Sequence, residues 1–433
     1  MVNGVKQQSY HSLPIVVRLQ FYKDKLLKIM SKIKIAFLQH GLNYGGAGIS
    51  LYLLQKSLDK NIFEKYLFFT PLTYIDSQEL KNIFLQENKG VHPVNLGQIH
   101  NHQCGKTSLF KFYLYKSLPC ESLITNLIKY DIDILHVNST VFPHVLGKVK
   151  NKMSLKIVTH VRELIHKNNN NILKNYMVKQ IYQYSDAIVA ISDNEAQPFL
   201  GHPNLHILPN PFHFAKIEEI KSSFREDHNI EEECTIIGMV GQLTKFKGHM
   251  LFLQAAKKII DRKAAEYPFL FVILGAELPK SPLWKKVAKK ILRRENYIDT
   301  IQNYIQVNNI SRYIKLLPYT LNVFDVLKAM DIVVRPSLSA DPWGRDVIEA
   351  MALGKPTVAT GTSEFYIENG VTGYLVPPQP QLLAEKILEL ITDPDKRKLF
   401  GQKGYSKVRE MCDLERYGQE MTRIYQSLMD TTP

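Results

Sequence analysis

Asp341 and Glu349 are two carboxylates that bracket a turn containing Gly344 at the start of a short apolar helix. The apolar run Ile332-Val333-Val334 precedes them. Gly354 and Pro356 then stop the helix, and Thr357-Val358-Ala359-Thr360 reads as a strand. Strand, loop, helix and strand in that order predict a parallel α/β unit. The amides of Gly344, Arg345 and Asp346 then face the carboxyl edge of the sheet, where a helix start attracts anions. One carboxylate before the helix and another inside it can hold sugar hydroxyls on either side of a bound phosphate. Arg335, directly after the apolar run, faces either this site or solvent.

Further stretches could share that chemistry. The run Ile236-Ile237-Gly238-Met239-Val240-Gly241-Gln242 leads on through Leu243-Thr244-Lys245-Phe246-Lys247-Gly248. It delivers a buried strand into a glycine turn, a basic residue and a helix. Lys247 is a compact cation with three donors, suited to a diphosphate; a solvated turn lysine is the plain alternative. The first strand runs into Gly41-Leu42-Asn43-Tyr44-Gly45-Gly46-Ala47-Gly48, whose glycines let backbone approach a ligand or simply turn. Its spacing is not a dinucleotide fingerprint, and no acidic residue closes a following strand, which argues against a nicotinamide or flavin site. His160-Val161-Arg162-Glu163 follows the expected strand Lys156–Thr159, at the edge where open sheets bind ligands. His160 is the candidate there, with Arg162 and Glu163 placed to orient it or to meet a second substrate; a structural histidine is the plain alternative. Gly105-Lys106-Thr107-Ser108 is not a phosphate loop, since His100 stands where that motif needs glycine and no strand precedes it. No His, Asp and Glu group has metal-ligand spacing.

The run from Asp341 through Glu349-Ala350-Met351-Ala352-Leu353-Gly354-Lys355-Pro356 resembles the E-x7-E signature of retaining GT-B glycosyltransferases of family 4. Asp341 stands in place of the first Glu. Gly45-Gly46-Ala47 is similar to that family's loop beside the donor phosphates. The resemblance spans roughly residues 32–430 and is strongest over 236–378. It implies a GT-B fold: two doubly wound Rossmann-like α/β domains facing across a cleft, with a C-terminal helix crossing back to the first. It also implies roles. Asp341 and His160 would work at the transferred sugar. Gly45, Gly46, Gln242, Lys247, Gly344, Arg345 and Glu349 would bind the donor, Glu349 at its ribose. Arg162 and Glu163 would lie on the acceptor side. The family carries an Arg where this chain has Gln242, so some charge facing the diphosphate is missing, and Lys245 is a candidate to supply it. Asp341 is one methylene shorter than the usual Glu, which narrows the donor choice or shifts the sugar.

The activity implied is transfer of a sugar from a nucleoside-diphosphate sugar to a glycan or lipid-linked hydroxyl, with retention, in cell-surface polysaccharide or lipopolysaccharide synthesis. No cofactor and no metal is expected, because Lys247 and helix-end amides would neutralise the diphosphate. The alternatives are a nucleotide-sugar epimerase or hydrolase on the same fold, and a non-catalytic nucleotide-sugar binder.

Alternating elements must position these groups. Strands are expected at Ile33–Leu38, Lys65–Phe69, Ile134–Asn138, Lys156–Thr159 and Ala187–Ile191, and again at Thr235–Val240, Phe269–Leu274, Tyr313–Leu316, Ile332–Val334, Thr357–Ala359 and Gly373–Val376. The joint is Leu208-Pro209-Asn210-Pro211. The expected division is 1–31 as a leader or mis-assigned start, 32–212 as an acceptor-side domain, 213–409 as a nucleotide-sugar domain and 410–433 as a crossover helix. A length of 433 residues accommodates that plan.

A net charge of +14 predicts attraction to something acidic. No zinc-finger, RNP-type or basic-zipper pattern points to nucleic acid. Two segments fit an anionic membrane face instead. In 281–294, Trp284, Val287, Ala288, Ile291 and Leu292 share one helical side among lysines and arginines; in 109–116, aromatics and lysines interleave. An ordinary surface helix is the plain reading of the first. No run reaches the roughly 18 apolar residues of a membrane span. The four cysteines, Cys104, Cys120, Cys234 and Cys412, have neither metal nor disulfide spacing, which fits a reducing cytoplasm. The expected location is therefore cytoplasmic, with peripheral attachment to the cytoplasmic membrane face.

Overall fold

Strands buried on both faces must be apolar along their whole length, and Ile35–Leu38, Ile236–Met239 and Phe271–Leu274 are. In the computed structural model they are the centres of two all-parallel sheets. The structure describes residues 31–41, 46–71, 78–98, 113–114, 117, 119–165, 172–262, 267–276, 297–318, 320, 322–339, 341 and 343–430.

The first sheet contains β1 (Ile33–Gln39), β2 (Phe63–Phe69), β3 (Gly90–Pro93), β4 (Ile134–Val137), β5 (Lys156–Val161), β6 (Ala187–Ala190) and β7 (Leu205–Ile207). Its spatial order is β3-β2-β1-β4-β5-β6-β7. The second contains β8 (Thr235–Val240), β9 (Phe269–Leu274), β10 (Ile314–Leu317), β11 (Ile332–Arg335), β12 (Thr357–Thr360) and β13 (Gly373–Val376), in the order β10-β9-β8-β11-β12-β13. Two edge strands, β3 and β7, were not expected from the sequence. Both are very short, and the prolines that end or follow them hide the strand signal.

Six helices matter for the site: α1 (Gly46–Ser57), α2 (Asp193–Ala196), α3 (His249–Asp261), α4 (Arg345–Ala352), α5 (Pro394–Met411) and α6 (Leu414–Asp430). α5 belongs with the second domain, whereas α6 returns to the first. Tyr417, Met421, Ile424, Tyr425 and Leu428 recur at helical spacing and pack with Ile35, Phe37, Leu51 and Phe63 of the first domain. The crossing helix thus begins at Leu414, after a break at Cys412-Asp413. The linker between the domains runs beside that break: Phe212 donates its amide to the Cys412 carbonyl at 2.7 Å and bridges Asp413.

Two contacts fix α6. The Tyr425 hydroxyl meets His136 Nδ1 at 2.8 Å in the first domain's core. Gly418 lets the helix approach the end of α1, since a Cβ there would lie 2.6 Å from the Ser57 carbonyl oxygen. Gly418→Val is therefore expected to cost about 1–3 kcal/mol or more through overpacking. Arg423→Ala, on the exposed side, should stay within about 0.5 kcal/mol of the parent. Urea unfolding followed by circular dichroism separates the two, and equal midpoints would show that this close approach is not needed.

Candidate functional site

Both sheets reverse their strand order once, the first between β1 and β4 and the second between β8 and β11. At such a reversal the connecting loops part, leaving a crevice outside the strands' carboxyl ends. In the first domain those ends carry Gln39 and Asn138, and in the second they carry the Gly241–Gln242 turn and Arg335.

Arg335 is buried at the end of β11 and organises what surrounds it. Its Nε donates to the Asp341 carbonyl at 2.8 Å, Nη2 to Asp341 Oδ2 at 2.6 Å, and Nη1 to Asp346 Oδ1 at 2.7 Å. Gly344 makes room for this guanidinium, because a Cβ there would lie 2.5 Å from Nη1. Burial pushes the Asp346 carboxyl upward, but Arg335 and Lys247 together hold it below its usual range. Lys247 lies half-buried in the same cluster, its stem against Gly241. The nearby Arg335, then burial, make its ammonium easier to deprotonate, while Asp346 and Asp341 oppose them. Two cations and two carboxylates therefore face one another at the β8/β11 reversal. Gln242 is exposed on the turn beside them, and Lys245 is exposed as well.

α4 starts at this cluster without a capping side chain, so its opening amides are left to other acceptors. Arg345 points away from the cluster. Its Nε donates to Glu349 Oε1 at 2.9 Å, and its Nη1 reaches the Pro211 carbonyl at 3.2 Å and Ser50 Oγ at 3.4 Å. Gly46 lies against the same side chain. Arg345 thus joins the carboxylate of Glu349 to the first domain. Glu349 is buried, which raises its carboxyl pKa, and Arg345 opposes the rise.

Across the cleft, His160 lies fully buried next to the end of β5, its ring 5.4 Å from that of His136. Arg162 Nη2 lies 3.3 Å from His160 Nδ1. An arginine only donates, so Nδ1 accepts and the imidazole hydrogen sits on Nε2. Nε2 meets no hydrogen-bond partner among the described residues. Burial, then Arg162 and His136, hold the ring neutral, well below the usual histidine range. Arg162 also donates through Nε to Asn138 Oδ1 at 2.8 Å and through Nη1 to Asn210 Oδ1. Glu163 instead accepts from Ser139 Oγ at 2.7 Å and from the amide and hydroxyl of Thr140, tying down the loop after β4. Of the residues singled out in the sequence, Asp341, Lys247, Gly344, Arg345 and Glu349 share one neighbourhood, and His160, Arg162 and Glu163 form a second on the facing domain. Gly45 lies outside the described residues. So does 281–294, and so does 109–116 except for Tyr113 and Leu114, both exposed. Among the described residues no helix is long and apolar enough to cross a membrane.

Two residues of this seam carried no signal in the sequence. Asp346 read as one more helix-start residue. Glu195 read as part of a short turn, yet the fold buries it on α2, where Ser192 Oγ donates to it, and brings it near Asp341 and Trp343. Burial first, then the charge of Asp341, raise its carboxyl pKa to about 7. A carboxyl raised on folding stabilises the protein fully below its unfolded pKa and loses that contribution as pH climbs through the folded value. Glu195→Gln cannot ionise, so its melting temperature should gain on the parent's between about pH 5 and pH 8. Parallel melting profiles across that range would remove Glu195 from the account.

Comparison with known proteins agrees with this architecture. The family model described as glycosyl transferases group 1 matches residues 220–407. D-inositol 3-phosphate glycosyltransferase of Corynebacterium urealyticum is 28% identical over 183 residues, 42% of this chain and 40% of that protein. The capsular polysaccharide biosynthesis glycosyltransferase CapM of Staphylococcus aureus is 24% identical over 224 residues, 51% of this chain and 53% of that protein. The chain thus spans about half the length, or less, of these curated relatives. Anabaena HepE, whose crystal structure holds UDP-glucose, superposes with a TM-score of 0.69 at 17% identity, covering 91% of this chain and 100% of that one. At that identity the likeness speaks for the fold alone. The second domain, with its site at the β8/β11 reversal, is thus similar to the glycosyl transferases group 1 family over residues 220–407, and the chain has a GT-B fold.

Proposed function

We propose that this protein transfers a sugar from a nucleoside-diphosphate sugar to an acceptor hydroxyl, with retention at the anomeric carbon. The observation that carries the reading is the meeting of Lys247 with the Arg335-held carboxylates at the start of α4. The donor diphosphate lies between Lys247 and the opening amides of α4, which neutralise the charge it gains as the glycosidic bond breaks. Glu349 has one oxygen on Arg345, and its other oxygen accepts the ribose hydroxyls. Asp341 bonds the transferred sugar and supports positive charge at its anomeric carbon. His160 donates through Nε2 to an oxygen of that sugar. The acceptor hydroxyl enters from the first domain on the face the diphosphate leaves, the departing phosphate takes its proton, and configuration is kept. This route asks for no metal, and closure of the cleft excludes the water that would otherwise consume the donor.

The acceptor is a glycan or a lipid-linked glycan of a cell-surface polysaccharide, a reading supported by the similarity to CapM. A net charge of +14 supports peripheral attachment to an anionic cytoplasmic membrane face. Co-sedimentation with phosphatidylglycerol vesicles at low salt, released by high salt, is the expected behaviour. Indifference to such vesicles would remove the membrane from the proposal.

A thermal-shift screen of UDP-, GDP- and ADP-sugars tests the donor. One nucleotide class should raise the melting temperature of the parent protein and leave Lys247→Ala unmoved. The same variant should lose about 100-fold or more in nucleotide release, the size of effect seen when one charge-stabilising donor is removed. No response to any nucleotide sugar in the parent protein would count against transfer.

A further inference from the structure

Asp341 lies in a loop, and a loop carboxylate must be held if it is to meet a sugar in one geometry. Residues 341 and 344 lie between β11 and α4. What holds Asp341 is the side chain of Arg335. One guanidinium bonds the main-chain carbonyl of Asp341 through Nε and its carboxylate through Nη2, at 2.8 and 2.6 Å. The planar fork therefore fixes both the position of the residue and the direction of its side chain. The third nitrogen, Nη1, is anchored on Asp346 in the first turn of α4 at 2.7 Å. The strand end itself is tied down, since Thr360 Oγ1 donates to the carbonyls of Arg335 and Ser337 at 3.3 and 2.6 Å. The chain also keeps room for this arrangement: any side chain at Gly344 would strike the guanidinium.

We propose that Arg335 is the positioning residue for Asp341, setting the carboxylate that supports the anomeric carbon while binding no part of the donor itself. The inference rests on the transfer reading above. A lysine cannot replace it, because one ammonium cannot span the carbonyl, the carboxylate and Asp346 in a plane. The side chain acts through geometry, so its removal should lower turnover and leave donor affinity nearly as it was.

The test compares the parent with Arg335→Met, Arg335→Lys and the double variant Arg335→Met/Asp346→Asn. The double variant removes the carboxylate that would otherwise be buried unpaired, so it keeps the test open if the single variant fails to fold. The probe is UDP-glucose, or the nucleotide sugar that shifts the parent's melting temperature if another does. Release of its nucleotide, with acceptor or water, is the readout. Each folded variant should lose about 100-fold in kcat, as displacement of a reacting group does, with donor KM within about threefold. Free guanidinium ion at millimolar concentration should restore part of the kcat of the methionine variants and none of that of Arg335→Lys. A raised KM with unchanged kcat would make Arg335 a donor contact and overturn the proposal. So would kcat within about threefold of the parent, or the failure of both methionine variants to fold. If the parent protein turns over no nucleotide sugar at all, the transfer reading falls first; normal parental turnover with unaffected variants overturns the Arg335 assignment alone.

Discussion

Parallel strands can be joined only by crossovers, so all of their carboxyl ends come out along one edge of the sheet. Everything at this site depends on that constraint. It places the Gly241–Gln242 turn, Arg335 and the start of α4 side by side although they are distant in the chain. It does the same for Gln39, Asn138 and His160 in the first domain. Because each sheet reverses its order once, each has one crevice into which such groups can point. Two sheets whose carboxyl edges face each other then make a cleft whose walls come from different domains.

The chemistry in the cleft is a matter of where charge is tolerated. Arg335 and Glu349 are removed from water and Asp346 is largely so, at a cost that only close partners offset. Arg335 is satisfied by two carboxylates and a carbonyl, Glu349 by Arg345. Among the described residues Lys247 is the cation of the group with no bonded carboxylate; it sits in the field of both Arg335 and the two aspartates. An anion arriving there would meet a charge already partly desolvated, which strengthens the attraction. On the facing wall the balance is different: His160 is kept neutral and its orientation is set by Arg162, so that wall offers a hydrogen rather than a charge.

Among the described residues the two walls are joined physically at several places, the Tyr366 hydroxyl on the Ile191 carbonyl at 3.0 Å among them. The linker pairs with the break before α6, α6 itself packs in the first domain's core, and Arg345 reaches Pro211 and Ser50 from the first turn of α4. The last of these is notable because the same arginine holds Glu349. A movement that separated the domains would have to break or stretch the bonds that orient that carboxylate. Position of the domains and orientation of the Glu349 carboxylate are thereby coupled through one side chain.

The sequence by itself determined the alternation of strands and helices, the two-domain plan, and the spacing that puts Asp341 before a helix and Glu349 within it. These are local properties: apolar runs of strand length, glycines and prolines that end elements, and short motifs read within a few residues. It also named Lys247 and His160 for the same reason, since each lies at or shortly after the carboxyl end of a strand. Tertiary structure decided the rest. Nothing local distinguishes an arginine turned toward solvent from Arg335 turned inward to Asp341 and Asp346, because its partners are held in place by a loop and a helix. Nothing local placed Glu195 beside Asp341, which lies in the other domain, or brought Arg345 to Ser50 and Pro211. Burial and charge pairing across long sequence separations depend on how the two sheets meet, and that is fixed only when both cores and the crossing helix are packed.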